Sequence, residues 1–189
     1  MRPTVVDAAR LTGRVDDLTA MVQRGHAFGT IYADPPWPYA NPHARTAGHG
    51  PHYDAMSVEQ IAALPVNHLA ADFAHLHLWT TATFVEDALY VMKCWGFIYK
   101  SQFIWCKPKM GTGYYWRVSH EILLTGVRRR NQFFDDRLLP SWEVFRKGNH
   151  SAKPEEVRSL IERASPPPRL EMFARRLATG WCAWGAGLD

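Results

Sequence analysis

A carboxylate, two prolines and an indole stand in a row at Asp34-Pro35-Pro36-Trp37. Neither proline donates a backbone hydrogen bond, and each restrains the residue before it to extended conformations. The segment is therefore stiff, and it presents the Asp34 carboxylate, a Pro35 carbonyl free of any ladder and the face of Trp37. Those groups suit an exocyclic aromatic amine such as N6 of adenine, a poor nucleophile because its lone pair is delocalised into the ring. A carboxylate and a carbonyl that accept its two hydrogens draw the nitrogen towards tetrahedral geometry and expose the lone pair. A ring beside them holds the base by stacking, worth about 1–3 kcal/mol. The plainer reading is a proline-rich loop that ends a strand, with Trp37 in the core.

The element that must position the row is Phe28 to Ala33, apolar with β-branched and aromatic members, which reads as a buried strand of a parallel sheet. Ahead of it, Asp16 to Gln23 has helical spacing and Gly25 stops it. Beyond it, Ser57 caps a helix that runs through Leu64, with Glu59 in its first turn. Ala74 to Thr80 alternates as a strand, Thr83 to Trp95 has helical spacing ended by Gly96, and Phe97 to Trp105 is the next strand. Ile122 to Val127 is a further strand, Ser151 to Ala164 a helix, and Leu170 to Ala174 and Ala178 to Trp184 are short strands. This alternation predicts a single α/β domain, a mostly parallel sheet with helices on both faces. Ligands of such folds bind outside the carboxyl ends of the strands, where Asp34 falls.

Two stretches between these elements carry further candidates. Residues 38–53 are rich in Pro, Gly, His and Ala without periodicity, which predicts a functional loop that closes over the substrate. Its His43, His49 and His52 lack metal-ligand spacing and a carboxylate or cysteine partner, so no metal is expected. Residues 108–117 form a second glycine-rich loop, with Tyr114, Tyr115 and Trp116 set among Lys107, Lys109 and Arg117. Cations interleaved with aromatics suit a nucleic-acid backbone and stacked bases, although a solvated loop has the same composition. Arg128-Arg129-Arg130 ends a strand, either as a phosphate-facing patch or as a soluble strand end.

Asp34-Pro35-Pro36-Trp37 resembles the catalytic tetrapeptide of the MT-A70 family, adenine-N6 methyltransferases that use S-adenosylmethionine. Leu78-Trp79-Thr80-Thr81, Trp95-Gly96-Phe97, Trp105-Cys106-Lys107, Gly111-Thr112-Gly113, His120-Glu121, Ser151-Ala152-Lys153-Pro154-Glu155 and Glu171-Met172-Phe173-Ala174-Arg175 follow in the family's order, then Gly180-Trp181 and Trp184-Gly185. The resemblance implies a Rossmann-like methyltransferase domain and transfer of a methyl group to adenine N6 in nucleic acid. Asp34, Pro35, Pro36 and Trp37 would be catalytic, with Arg45, Lys107, Lys109, Tyr114, Arg117, Arg128 and Arg129 on the nucleic acid. The cofactor would meet Asp34, Pro35, Tyr53, Lys153, Phe173 and Arg175, with Asp16 near its methionine end unless Asp16 or Asp17 caps a helix. The chain departs from the family's eukaryotic members where they have His-Asn and Asn-Gln. Here those places hold Leu177-Ala178 and Ala186-Gly187. The compact size favours a bacterial or phage enzyme and therefore DNA, with RNA, or a catalytically weak binding subunit, as the alternatives.

The bulk composition agrees with one globular domain: 189 residues, 47% hydrophobic, eight tryptophans and a formal charge of +4. That balance permits nucleic-acid binding without demanding it. Cys94, Cys106 and Cys182 lack the spacing of a zinc site or disulfide framework, which points to free thiols in a reducing cytoplasm. No apolar run approaches a membrane span, no signal peptide is visible, and no Gly-x-Gly-x-x-Gly suggests a dinucleotide. A chain this small offers little recognition surface, so a homodimer or a protein partner is expected.

Overall fold

The computed structural model describes residues 12–39, 55–111, 115–130, 132–146, 153–186 and 188. Its central strand, β2, is Phe28–Ala33, and every residue of it is buried, as in a strand covered on both faces. The other strands are β1 (Gly13–Arg14), β3 (Ala70–Thr80), β4 (Ile98–Cys106), β5 (His120–Val127), β6 (Trp142–Val144), β7 (Arg169–Met172) and β8 (Trp181–Trp184). They form one eight-stranded sheet in the order β1-β8-β7-β2-β3-β5-β4-β6. Among the described residues the pairings are parallel except the two that β5 makes, with β3 and with β4. The expected mostly parallel sheet is present. Its one reversed strand arises because β4 turns straight back into β5, which inserts between β3 and β4.

The helices are α1 (Leu18–Gln23), α2 (Val58–Ala62), α3 (Val66–Leu69), α4 (Val85–Cys94) and α5 (Glu155–Ala164). Asp17 caps α1 by accepting from Thr19 N, and Ser57 with Gln60 forms a reciprocal capping box on α2. A 3₁₀ turn at Ala82–Phe84 leads into α4, so the regular helix starts later than its spacing suggested. Gly96 follows at φ +78 and ends α4 as a glycine C-cap does.

Alternation along the strands divides the apolar side chains between two cores. Ile31, Ala33, Leu76, Leu78, Leu170 and Met172 face α1 to α4, meeting Leu18, Ile61, Leu69, Val91 and Met92. Tyr32, Trp79, Phe103, Trp105, Leu123 and Trp181 face α5, meeting Val157 and Ile161. Helices therefore cover both faces, as expected. On the α5 side two imidazoles share one hydroxyl: His75 Nδ1 and His77 Nε2 each lie 2.9 Å from Ser165 Oγ. Burial lowers both basicities, that of His77 to about 3.

The chain passes from β2 to β3 on one side, while β7, reached through α5, pairs with β2 on the other. The order of strands reverses at β2, and the crevice above such a point is where open α/β sheets bind ligands. Asp34 is the first residue past β2.

Candidate active site

Past Asp34 the prolines fold the chain into tight turns. Trp37 N donates to Pro35 O at 2.9 Å, Tyr39 N to Trp37 O at 2.9 Å, and Met56 N to Pro36 O at 3.0 Å. The Pro35 carbonyl is thus engaged and not free as the sequence suggested, although a carbonyl oxygen keeps a second lone pair. Trp37 also departs from expectation. Its ring is 5% exposed, lies parallel to Phe84 with centroids 5.7 Å apart, and donates its Nε1–H to Trp79 O at 3.0 Å. An indole so packed presents no face to a base, and the reason is tertiary: the turns at the prolines swing it inward onto Phe84. The exposed ring at this place is Tyr39, held by its hydroxyl 3.0 Å from Thr81 Oγ1 and edge-on to Phe84.

Asp34 is held by a lysine from the other end of the chain. Lys153 Nζ lies 2.6 Å from each Asp34 carboxylate oxygen and 3.3 Å from Glu121 Oε2. Glu121 also accepts from Lys107 Nζ, so positive and negative groups alternate from Lys107 through Glu121 and Lys153 to Asp34. Aromatic rings floor this chain, with Lys153 Nζ 5.4 Å from the Trp79 ring centroid and Lys107 Nζ 4.8 Å from that of Trp105. Burial works against the charge on Lys153, but Asp34 and Glu121 outweigh it and hold the ammonium above its usual range. Burial likewise opposes the charge on Glu121, and Lys153 and Lys107 outweigh it.

A cleft of about 570 Å³, its open mouth included, lies beside this chain and is lined by Tyr32, Asp34, Lys153, Glu155, Glu171 and Phe173, among others. Arg175 and Arg176 line it too. Phe173, at φ +61, turns the chain out of β7 and sets its ring edge-on to Trp184 at 5.3 Å. Gly185 allows that turn to close, because a Cβ there would sit 2.2 Å from Ala174 O. Arg158 Nη1 lies 2.8 Å from Glu171 Oε2, and Glu155 pairs with both Arg158 and Arg176. Burial raises the Glu171 carboxyl above its usual range, with Arg158 opposing.

The cleft opens to solvent and is lined by carboxylates, arginines and aromatic rings. Glu155 and Glu171 could receive ribose hydroxyls and an ammonium, and Phe173 offers a ring edge for an adenine. These residues fit S-adenosylmethionine. Of the residues expected on it, Asp34, Lys153, Phe173 and Arg175 line the cleft, while Tyr53 falls outside the described residues. Asp16 does not line it: it pairs with Arg14 at 2.7 Å beside the edge strand β1, three strand positions from β2.

The nucleic-acid candidates separate between the two ends of the sheet. Lys107, Lys109 and Arg117 follow or approach β4 and β5 at the rim that carries Asp34; Lys109 and Arg117 are exposed, while Lys107 is committed to Glu121. Arg128 and Arg129 lie at the opposite rim, because β5 is antiparallel and Val127 pairs with His75, near the start of β3. Arg128 Nη1 donates to Asn67 Oδ1 at 2.6 Å and Arg129 Nη2 to Asp72 Oδ2 at 2.9 Å. Five strand steps, about 17 Å, separate the two rims, so these arginines do not share the Asp34 rim. Arg45, Tyr114 and the histidines 43, 49 and 52 are outside the described residues. Among the described residues no group of His, Cys, Asp or Glu could hold a metal, and no helix is long and apolar enough to cross a membrane.

Sequence reasoning missed Tyr39, Glu121, Glu155, Arg158 and Glu171 as site residues. A signal existed for the carboxylates, since Glu121 stands directly before the apolar run Ile122–Leu124 and Glu171 lies between the apolar Leu170 and Met172.

The MT-A70 family model matches residues 28–187, and the chain belongs to that family. A type II methyltransferase, M.MunI, of a Mycoplasma species is 26% identical over 187 residues, covering 84% of this chain and 76% of that protein. The human N(6)-adenosine-methyltransferase catalytic subunit METTL3 is 28% identical over 173 residues, covering 86% of this chain but 28% of its own length. A probable N(6)-adenosine-methyltransferase of rice is 29% identical, with 23% of its length covered. The chain thus spans about three quarters of the first relative and about a quarter of the plant and animal ones.

Proposed function

We propose that this chain transfers a methyl group from S-adenosylmethionine to N6 of adenine in nucleic acid, with DNA the preferred polymer. The observation that carries the reading is the Asp34 carboxylate, fixed at the switch point of the sheet between a polar cleft and an open rim. S-adenosylmethionine supplies an electrophilic methyl group on a sulfonium. Asp34 accepts one N6 hydrogen and the remaining lone pair of the Pro35 carbonyl accepts the other, which turns the amine lone pair towards that methyl. The Tyr39 ring holds the base, in place of the buried Trp37. Lys153 stays protonated in its raised range, so the proton shed by N6 leaves on the Asp34 side. The step is a direct displacement without a covalent enzyme intermediate, and the base reaches the cleft from a single strand or by leaving the duplex stack.

The catalytic reading is preferred to that of a binding-only subunit because Glu155 and Glu171 supply polar groups to the cleft that Leu177, Ala178 and Ala186 do not. The enzyme works beside a second copy or a protein partner, which extends the surface that meets the nucleic acid. Nucleoside mass spectrometry after incubation with DNA and with RNA oligonucleotides tests the proposal. N6-methyl-2′-deoxyadenosine is the expected product, N6-methyladenosine alone would reassign the polymer, and methylation of neither would refute the activity.

A further inference from the structure

The arm between β4 and β5 stands on the rim that carries Asp34. Lys107 N donates to Ser119 O at 2.6 Å and Gly111 N to Val118 O at 2.9 Å, so the strand pair continues outward as an arm. Arg117 Nε donates to Gly111 O at 3.0 Å and ties the arm across. On it Tyr115 is 97% exposed, Trp116 92% and Met110 67%. Large rings bury well over 100 Å² when they find a partner, so leaving two adjacent ones in water forgoes a substantial stabilisation.

The charges of the arm indicate the kind of partner. Residues 107–119 contain Lys107, Lys109 and Arg117 and no carboxylate. Lys107 is neutralised by Glu121, whereas the Arg117 bond is to a neutral carbonyl. Exposed rings among positive charges complement a polyanion whose subunits have flat faces. In a duplex those faces are covered by neighbouring bases, so a protein ring can stack only where a base is unpaired.

We propose that Tyr115 and Trp116 form a platform on which an unpaired base beside the target adenine stacks, with Lys109 and Arg117 on the adjoining phosphates. The preferred substrate is then single-stranded or locally opened. The inference rests on the reading that the target adenine enters at Asp34, but it concerns different residues and can fail separately.

A test uses oligothymidylate of about 12 nucleotides, which spans an ordinary single-strand site and has no adenine for the cleft to hold. An abasic strand of equal length and a blunt duplex are the comparisons, with affinity read by fluorescence anisotropy. Trp116→Leu should weaken oligothymidylate binding about 5- to 50-fold and leave the abasic strand unchanged, and Trp116→Phe should restore most of the loss. Lys109→Ala and Arg117→Ala should weaken both strands alike and reduce the logarithmic salt slope by about 0.7 each. Because the rings are exposed, these variants should keep the wild-type melting temperature. Oligothymidylate binding unchanged in the Tyr115→Leu, Trp116→Leu double variant would overturn the proposal, as would wild-type binding to duplex as tight as to single strand. So would light scattering that shows a wild-type dimer and a Trp116→Leu monomer, since the rings would then belong to a second copy. Calorimetric titration with S-adenosylmethionine separates the failures: retained cofactor binding without a ring-dependent strand interaction condemns the platform alone.

Discussion

Lys153 Nζ lies 2.6 Å from each carboxylate oxygen of Asp34. A carboxylate held this way is oriented; each oxygen keeps a second lone pair, and the one offered to an incoming amine accepts more strongly as the ammonium moves off. Glu121, 3.3 Å from the same nitrogen, is the second carboxylate towards which the ammonium can move.

Glu121→Gln should therefore raise KM for the nucleic acid more than it lowers kcat. A hydrogen bond between charged groups is worth about 1.5–3 kcal/mol, so the rise should be roughly 10- to 100-fold. Steady-state kinetics checks this, with calorimetry showing cofactor affinity unchanged. An equal fall in kcat and kcat/KM would place Glu121 in the transition state instead.

Trp37 and Tyr39 should behave in opposite ways. Trp37→Ala removes a buried ring and its hydrogen bond to Trp79 O, at a cost of about 3–5 kcal/mol read by chemical denaturation. Tyr39→Ala removes an exposed ring and should change stability little while slowing methyl transfer. A stable, inactive Trp37→Ala would return the stacking role to the indole.

The contrast between those residues shows what the sequence could disclose. The apolar run Phe28–Ala33 and the break at Asp34-Pro35-Pro36 were legible because burial on both faces and proline chemistry are written locally. So were the caps at Ser57 and Gly96. The direction of β5 was not, since an apolar strand has the same composition whichever way it runs. That direction alone decides that Arg128 and Arg129 lie on the far rim. The burial of Trp37 was hidden for a similar reason, because it depends on Phe84 and Trp79, more than forty residues away. Resemblance put both Asp34 and Lys153 at the cofactor, but nothing in the sequence disclosed that they pair across 119 residues.

Arg128→Ala with Arg129→Ala should leave nucleic-acid affinity and its salt dependence unchanged, while Lys109→Ala with Arg117→Ala should flatten the salt slope. Binding isotherms over a salt series distinguish the pairs. A flattened slope for the first pair would mean that the polymer reaches the rim at the start of β3.

The fold should be acid-sensitive through His77. Its folded-state pKa of about 3 lies below the unfolded value near 6.5, so its contribution is fully present above pH 6.5. It is lost as pH falls towards 3, by about 1.4 kcal/mol per pH unit. Between pH 7.5 and 5 the loss is about 2 kcal/mol, and His75 adds in the same direction. Urea denaturation at those pH values checks this, and His77→Asn should flatten the dependence.

The most direct test of the account is Asp34→Ala, assayed for single-turnover methyl transfer to an adenine-containing oligonucleotide and for S-adenosylmethionine affinity by calorimetry. The account predicts no transfer, with cofactor affinity within about three-fold of wild type, because the carboxylate serves the amine. Full transfer by the variant, or complete loss of cofactor binding, would contradict it.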